Sequence, residues 1–294
     1  MRPLGGQRAT ATRSQAWGPV NPEVERGYNN RAAVPDHPQH FATYAAWSKA
    51  AREKYAPKTN LRYGPNPREL LDLFLPSGTP RGTYLYIHGG YWRALSKEDY
   101  SFVAGPFVDE GIAVAVMEYD LCPQVSIATI VDECVRAVQW LVGEGPKHGG
   151  SGPLVVGGSS AGGHLAAMLF ATDWAAHGLP RSPLAGGVSL SGVHDLRPLV
   201  DFSFNSEFKL DEAEAWRISP LAYRPKTSAP FVIACGTDET TEFVRQAQIL
   251  WDAWSEVRRP VDGPLFIPGR DHFTVQLDHA DAHSDLTLAT LALF

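Results

Sequence analysis

Cysteine is scarce: only Cys122, Cys134 and Cys235 occur among 294 residues, and no two form a Cys-x-x-Cys pair. So thin and odd a set argues against a disulfide framework and fits reduced, buried thiols. No stretch approaches the roughly 18 consecutive apolar residues that a membrane helix needs. Met1 to Val20 carries Arg2, Arg8 and Arg13 but no continuous apolar run, so a secretory signal is not expected there. Positive charge is not in excess: 26 Lys and Arg stand against 32 Asp and Glu, for a net charge of −6. That balance excludes nucleic acid as an expected partner, because phosphate contacts need clustered cations. Internal repeats and low-complexity segments are missing too. These absences lead to the expectation of a cytoplasmic globular protein acting on a small molecule, with no membrane partner and a homodimer left open. The remaining composition, 44% hydrophobic and 20% charged, is ordinary for a packed domain.

The Gly-, Arg- and Thr-rich residues 1–20 read as a disordered tail. Residues 21–68 read as a helical extension, with a turn at Val34-Pro35-Asp36-His37-Pro38 and a helix over 41–55. From residue 69 to 294 the pattern alternates. Strands are expected at 69–75, 82–88, 111–119, 153–157, 186–190, 230–235 and 263–267. Helices are expected at 101–110, 126–142, 161–174 and 241–257, with a last one at the C-terminal end. Ile112-Ala113-Val114-Ala115-Val116-Met117 is apolar throughout, as suits a strand covered on both faces. Strands separated by helices of this length imply a mostly parallel central sheet flanked by helices. A segment near 200–218, with Phe202, Phe204, Phe208 and Trp216, is expected to form a small cap.

The strongest chemical signal is Gly158-Ser159-Ser160-Ala161-Gly162, between the apolar strand Leu154-Val155-Val156 and an apolar helix. A strand, a tight turn and a helix are the context that the G-x-S-x-G nucleophile elbow needs, and they point to the α/β-hydrolase fold. The turn lifts the Ser160 hydroxyl clear of the backbone, beside a helix N-terminus that favours negative charge. No Gly-Lys-Ser/Thr follows, so a phosphate-binding loop is disfavoured. Upstream, His88-Gly89-Gly90-Tyr91-Trp92 ends a strand where lipases and esterases carry H-G-G-G, a turn whose N–H groups help to bind an oxyanion. Gly89, Gly90 and Ala161 are the expected donors, and His88 is expected to prop the turn.

A serine triad in this fold runs Ser, then Asp or Glu, then His. His272 follows the last strand and is the expected base. Asp238, one short turn after Phe231-Val232-Ile233-Ala234-Cys235, is the expected acid. Glu239 is the fallback and Asp195 a third choice. His279 and His283 stand four apart, a spacing that can hold metal, but no H-E-x-x-H pattern accompanies them. No metal and no cofactor are expected. Trp17, Tyr28, Tyr44 and Trp47 are read as core or lid packing.

Taken together, His88-Gly89-Gly90-Tyr91-Trp92, Gly158 to His164, and Gly236-Thr237-Asp238-Glu239-Thr240-Thr241-Glu242-Phe243 resemble the kynurenine formamidases (arylformamidases). These are relatives of hormone-sensitive-lipase-type esterases. The resemblance runs from about residue 69 to the end, with a weaker echo in Tyr28-Asn29-Asn30-Arg31. It implies hydrolysis of N-formylkynurenine to kynurenine and formate in tryptophan catabolism. By position it places the triad on Ser160, Asp238 and His272. Glu239-Thr240 departs from the Ser-Pro common after the acid, so a carboxylesterase for short acyl esters stays open. So does, more remotely, a non-catalytic binding member of the fold. One or both of Tyr91 and Trp92, which follow Gly90 where H-G-G-G has its third glycine, are expected to narrow the acyl pocket and to offer a stacking face for an aryl leaving group.

Overall fold

The computed structural model describes residues 20–179 and 181–294. The tail expected over residues 1–20, with Trp17, lies outside the described residues except for Val20. The described residues open with three helices, α1 (Pro22–Tyr28), α2 (Asn30–Ala33) and α3 (His37–Tyr55). Asn21 caps α1, its side chain accepting from the Glu23 N–H at 2.9 Å. Strands β1 (Lys58–Arg62), β2 (Leu70–Phe74) and β3 (Thr83–Ile87) follow, then α4 (Ala104–Asp109) and β4 (Ala113–Met117). Next come α5 (Ile127–Gly143), the short α6 (Gly145–His148), β5 (Leu154–Ser159), α7 (Ala161–Ala171) and β6 (Leu184–Leu190). After β6 the chain forms the short helices α8 (Asn205–Phe208) and α9 (Glu212–Arg217). It closes with β7 (Phe231–Gly236), α10 (Thr241–Ala253), β8 (Arg258–Arg259), β9 (Leu265–Ile267), α11 (Thr274–Leu277) and α12 (Asp285–Leu291).

Among the described residues nine strands form one sheet in the order β1-β2-β4-β3-β5-β6-β7-β8, with β9 also paired to β7. Of the pairings among the described residues, only β1–β2 and β2–β4 run antiparallel. β1 was not expected from the sequence, since the extension 21–68 read as helical. It is a polar strand, Lys-Thr-Asn-Leu-Arg, mostly exposed at the sheet edge, and it lacks the apolar alternation that marks a half-buried strand. Lysine and arginine on such an edge discourage pairing with another chain. The two-residue β8 was missed for the same reason. Strands β3, β4 and β5 are buried along their whole length. α7 is buried on every side, beneath the sheet centre. α5 turns Ile127, Ile130, Cys134, Val138 and Leu141 inward. The three cysteines are buried and free.

β3 pairs with β4 on one side and β5 on the other. The chain leaves β3 and β5 in opposite directions across the sheet, so a crevice opens at their carboxyl ends, the usual ligand position in such sheets. Gly89-Gly90 and Ser160 stand there. No helix among the described residues is long and apolar enough to cross a membrane.

Candidate active site

Ser160 joins β5 to α7 with φ 56° and ψ −117°, in a region that non-glycine residues rarely occupy. The Ser160 N–H donates to the Leu190 carbonyl at 2.8 Å, which pins the turn to β6. The flanking glycines are required by close backbone approach. A Cβ on Gly158 would lie 2.3 Å, and one on Gly162 1.9 Å, from the Ile87 carbonyl oxygen. The elbow can therefore nest against the end of β3, and the hydroxyl is left at the crevice.

His272 lies between β9 and α11, with Nε2 3.1 Å from Ser160 Oγ. Its backbone carbonyl accepts from Gln276 Nε2 at 2.8 Å, and the Phe243 ring sits against the imidazole with centroids 4.4 Å apart. The carboxylate on the far side of the ring is Glu239, not Asp238. Glu239 Oε2 lies 2.6 Å from His272 Nδ1. Its other oxygen accepts from the Gly236 N–H at 2.9 Å and from the Ser191 hydroxyl. Asp238 is exposed and accepts instead from Thr237 Oγ1 at 2.9 Å. Its N–H donates to the Arg270 carbonyl at 3.0 Å, which fixes the turn after β7 and points the side chain to solvent. One residue further on, the chain faces inward again. Two adjacent acids were visible in the sequence; which one faces the histidine depends on this turn. Asp195 is held by a bidentate bond from Arg197, at 2.9 and 2.8 Å, away from His272.

The second turn stands opposite Ser160. Gly90 takes φ +109°, and a Cβ there would lie 2.1 Å from the Ala94 carbonyl oxygen. Gly89 packs so closely that a Cβ on it would lie 3.3 Å from Ser160 Cβ. Ala161 begins α7, where the first N–H groups have no partner within the helix. His88 points away from Ser160. Its Nε2 lies 3.0 Å from Glu118 Oε1, and its ring stacks on Tyr119 at 4.2 Å.

Trp92 does not line the crevice. It is 0% exposed and donates its Nε1–H to His164 Nδ1 at 3.2 Å, packed edge-on to Phe208. The positive φ values of Tyr91 and Trp92, 50° and 54°, turn the chain so that only Tyr91 faces the cleft and Trp92 drops into the core behind it. Of the expected cap residues, Phe204 borders the cleft, while Phe202 and Phe208 are buried and Trp216 is exposed. His279 and His283 do not converge: His279 is fully buried beside Tyr84, and His283 is exposed.

The N-terminal extension supplies the rest of the wall, through Asn29, Asn30, Arg31 and Phe41. It is tied down around the site. The Tyr91 hydroxyl donates to the Tyr28 carbonyl and the Tyr44 hydroxyl to the Phe273 carbonyl, each at 2.5 Å. Gln246 Nε2 donates to the Tyr28 hydroxyl at 2.8 Å. Tyr28 and Tyr44 are buried, and Trp47 is half exposed. The only sequence signal for this wall was the short Tyr28-Asn29-Asn30-Arg31 stretch.

A family of the α/β-hydrolase fold matches residues 84–229. With the sheet order, the elbow at Ser160 and the His272 loop, this makes the chain an enzyme of the α/β-hydrolase class. A kynurenine formamidase from Salmo salar is 31% identical over 233 residues, which are 76% of this chain and 78% of that protein. A kynurenine formamidase from Danio rerio is 29% identical over 262 residues, 86% of this chain and 87% of its own. A solved structure from a Silicibacter species, whose thioesterase name is an assignment, superposes with a TM-score of 0.81 at 33% identity. It covers 92% of this chain and 99% of its own. The chain belongs to the kynurenine formamidase family.

Proposed function

We propose that this enzyme is an arylformamidase that hydrolyses N-formylkynurenine to kynurenine and formate through a formyl-serine intermediate. The observation that carries the reading is the hydrogen-bonded chain from Ser160 through His272 to Glu239, set in an aromatic-walled cleft. Relatives named kynurenine formamidase, aligned along most of the chain, support the substrate.

In the first step Ser160 Oγ attacks the formyl carbon while His272 Nε2 takes the hydroxyl proton. The carbonyl oxygen, now negative, is met by the N–H groups of Gly89, Gly90 and Ala161, beside the N-terminus of α7. Glu239 holds the imidazole with its proton on Nδ1 and stabilises the imidazolium. His272 then returns its proton to the nitrogen as the C–N bond breaks, and the aryl amine departs. Water attacks the formyl-enzyme, giving its proton to His272. Collapse frees formate, and Ser160 takes the proton back. Tyr91 offers its ring as one face for the aryl group.

The test is kcat/KM for N-formylkynurenine beside 4-nitrophenyl acetate and 4-nitrophenyl butyrate. The expected order is formamide first, then acetate, then butyrate. Faster turnover of butyrate than of N-formylkynurenine would overturn the reading in favour of a carboxylesterase.

A further inference from the structure

Asn30 is 4% exposed, lies in the wall of the active-site cleft, and has no partner for either its Oδ1 or its Nδ2 among the described residues. An amide buried without a partner costs roughly 1–3 kcal/mol, so its place in this wall needs a reason. The helix that carries it offers no local use for it. On the same short segment, Asn29 is fully employed: its Oδ1 accepts from the Ala32 N–H at 3.1 Å, and its Nδ2 donates to Glu25 at 2.7 Å.

Arg31 lies next along the same wall. Its guanidinium carbon stands 5.5 Å from the centroid of Phe41, and no carboxylate among the described residues pairs with it. The other cation of the cleft, Arg93, is already taken up by Glu207, with Nε 2.8 Å from Oε1. Among the described residues the cleft thus holds one free cation, with an unsatisfied donor and acceptor beside it, on the wall that the N-terminal extension contributes.

We propose that Asn30 and Arg31 form a subsite for the α-amino-acid head group of the leaving amine. Arg31 pairs with the carboxylate. The Asn30 Nδ2 donates to the same carboxylate, and Oδ1 accepts from the ammonium. An amino-acid head offers both charges at the spacing of one carbon, which suits an amide that needs an acceptor and a donor together. The assignment rests on the arylformamidase reading for the identity of the amine. The subsite itself requires only an aryl leaving group that carries an amino acid. Its placement on the extension makes specificity separable from the hydrolytic machinery on the sheet.

The test compares N-formylkynurenine with 2-formamidoacetophenone, the same aryl ketone without the amino-acid head, in the full-length enzyme and in Arg31→Gln, Arg31→Lys and Asn30→Asp. The wild-type ratio of kcat/KM should favour N-formylkynurenine. Arg31→Gln should lower that ratio on the order of ten- to a hundred-fold, mainly through KM, as expected for loss of a charge-assisted hydrogen bond. Arg31→Lys should recover part of it, and Asn30→Asp should lower it by repelling the carboxylate. A ratio within two-fold of wild type in all three variants, with unchanged melting temperatures, overturns the subsite. Should the wild type hydrolyse neither formamide, the arylformamidase reading falls by itself. The subsite is then read from O-acetyltyrosine against 4-methylphenyl acetate, with the same ratios supporting or overturning it.

Discussion

Glu239 reaches Nδ1 of His272 at 2.6 Å, while the neighbouring Asp238 faces solvent and takes a hydrogen bond from Thr237. Both carboxylates follow the same strand, and only one can orient the imidazole. Glu239→Gln should lower kcat by about 10³- to 10⁴-fold, because the amide favours the wrong tautomer of His272. Asp238→Asn should change kcat by less than about three-fold, as befits an exposed turn residue. Steady-state kinetics of the two variants, with thermal melts to confirm folding, check this. The reverse order would restore Asp238 to the triad.

Ser160→Ala should remove nearly all turnover while keeping the fold. The residual rate, from oxyanion binding and substrate positioning, should be about 10³- to 10⁴-fold above that in water. A fluorophosphonate probe should label the wild type at one site and leave the variant unlabelled. Labelling of the variant at wild-type level would mean that another nucleophile is present.

Trp92→Ala should act on stability and not on acyl preference. The ring is enclosed, and its indole N–H is bonded to His164. Truncating a buried tryptophan costs about 3–5 kcal/mol. Denaturant unfolding should show a loss of that size. Relaxed discrimination between acetyl and butyryl esters, at unchanged stability, would instead place the ring at the acyl pocket.

Three buried histidines set a limit on acid stability. Burial lowers His164 to about 4, against the pull of its bond to the Ile218 carbonyl. It lowers His194 to about 3, against a backbone bond to Gln246, and His279 to about 3. Each is neutral in the folded protein and titrates near 6.5 when unfolded. The unfolded chain therefore binds more protons below pH 6.5, and stability falls as pH drops from about 6.5 towards 3–4. At pH 5 each site contributes roughly 2 kcal/mol to that loss. The melting temperature should drop steeply between pH 7 and pH 5. His279→Phe should make the drop shallower, since His279 Nδ1 has no partner to lose among the described residues. A flat profile over this range would contradict the assignment of these imidazoles as neutral.

Much of the enzyme is written locally in its sequence. The apolar run of β4, the stripe of α5 and the two glycine-bearing turns are dictated by neighbours in the chain, because periodicity and close backbone approach act over a few residues. Ser160 and His272 were legible for that reason: each sits where a strand ends. Edge strand β1 was not, because its pairing with β2 comes from the sheet and not from its own polar residues. The choice of Glu239 over Asp238 rested on one N–H of the turn meeting the Arg270 carbonyl, 32 residues away in sequence. The burial of Trp92 depended on space behind the Gly89-Gly90 turn, which Phe208 and His164 fill from distant segments. The amide of Asn30, without a partner among the described residues, reaches the cleft only because the extension folds back over the sheet. Local order follows from short-range sterics and pattern, but which side chain meets which is decided by packing between parts of the chain that no spacing relates.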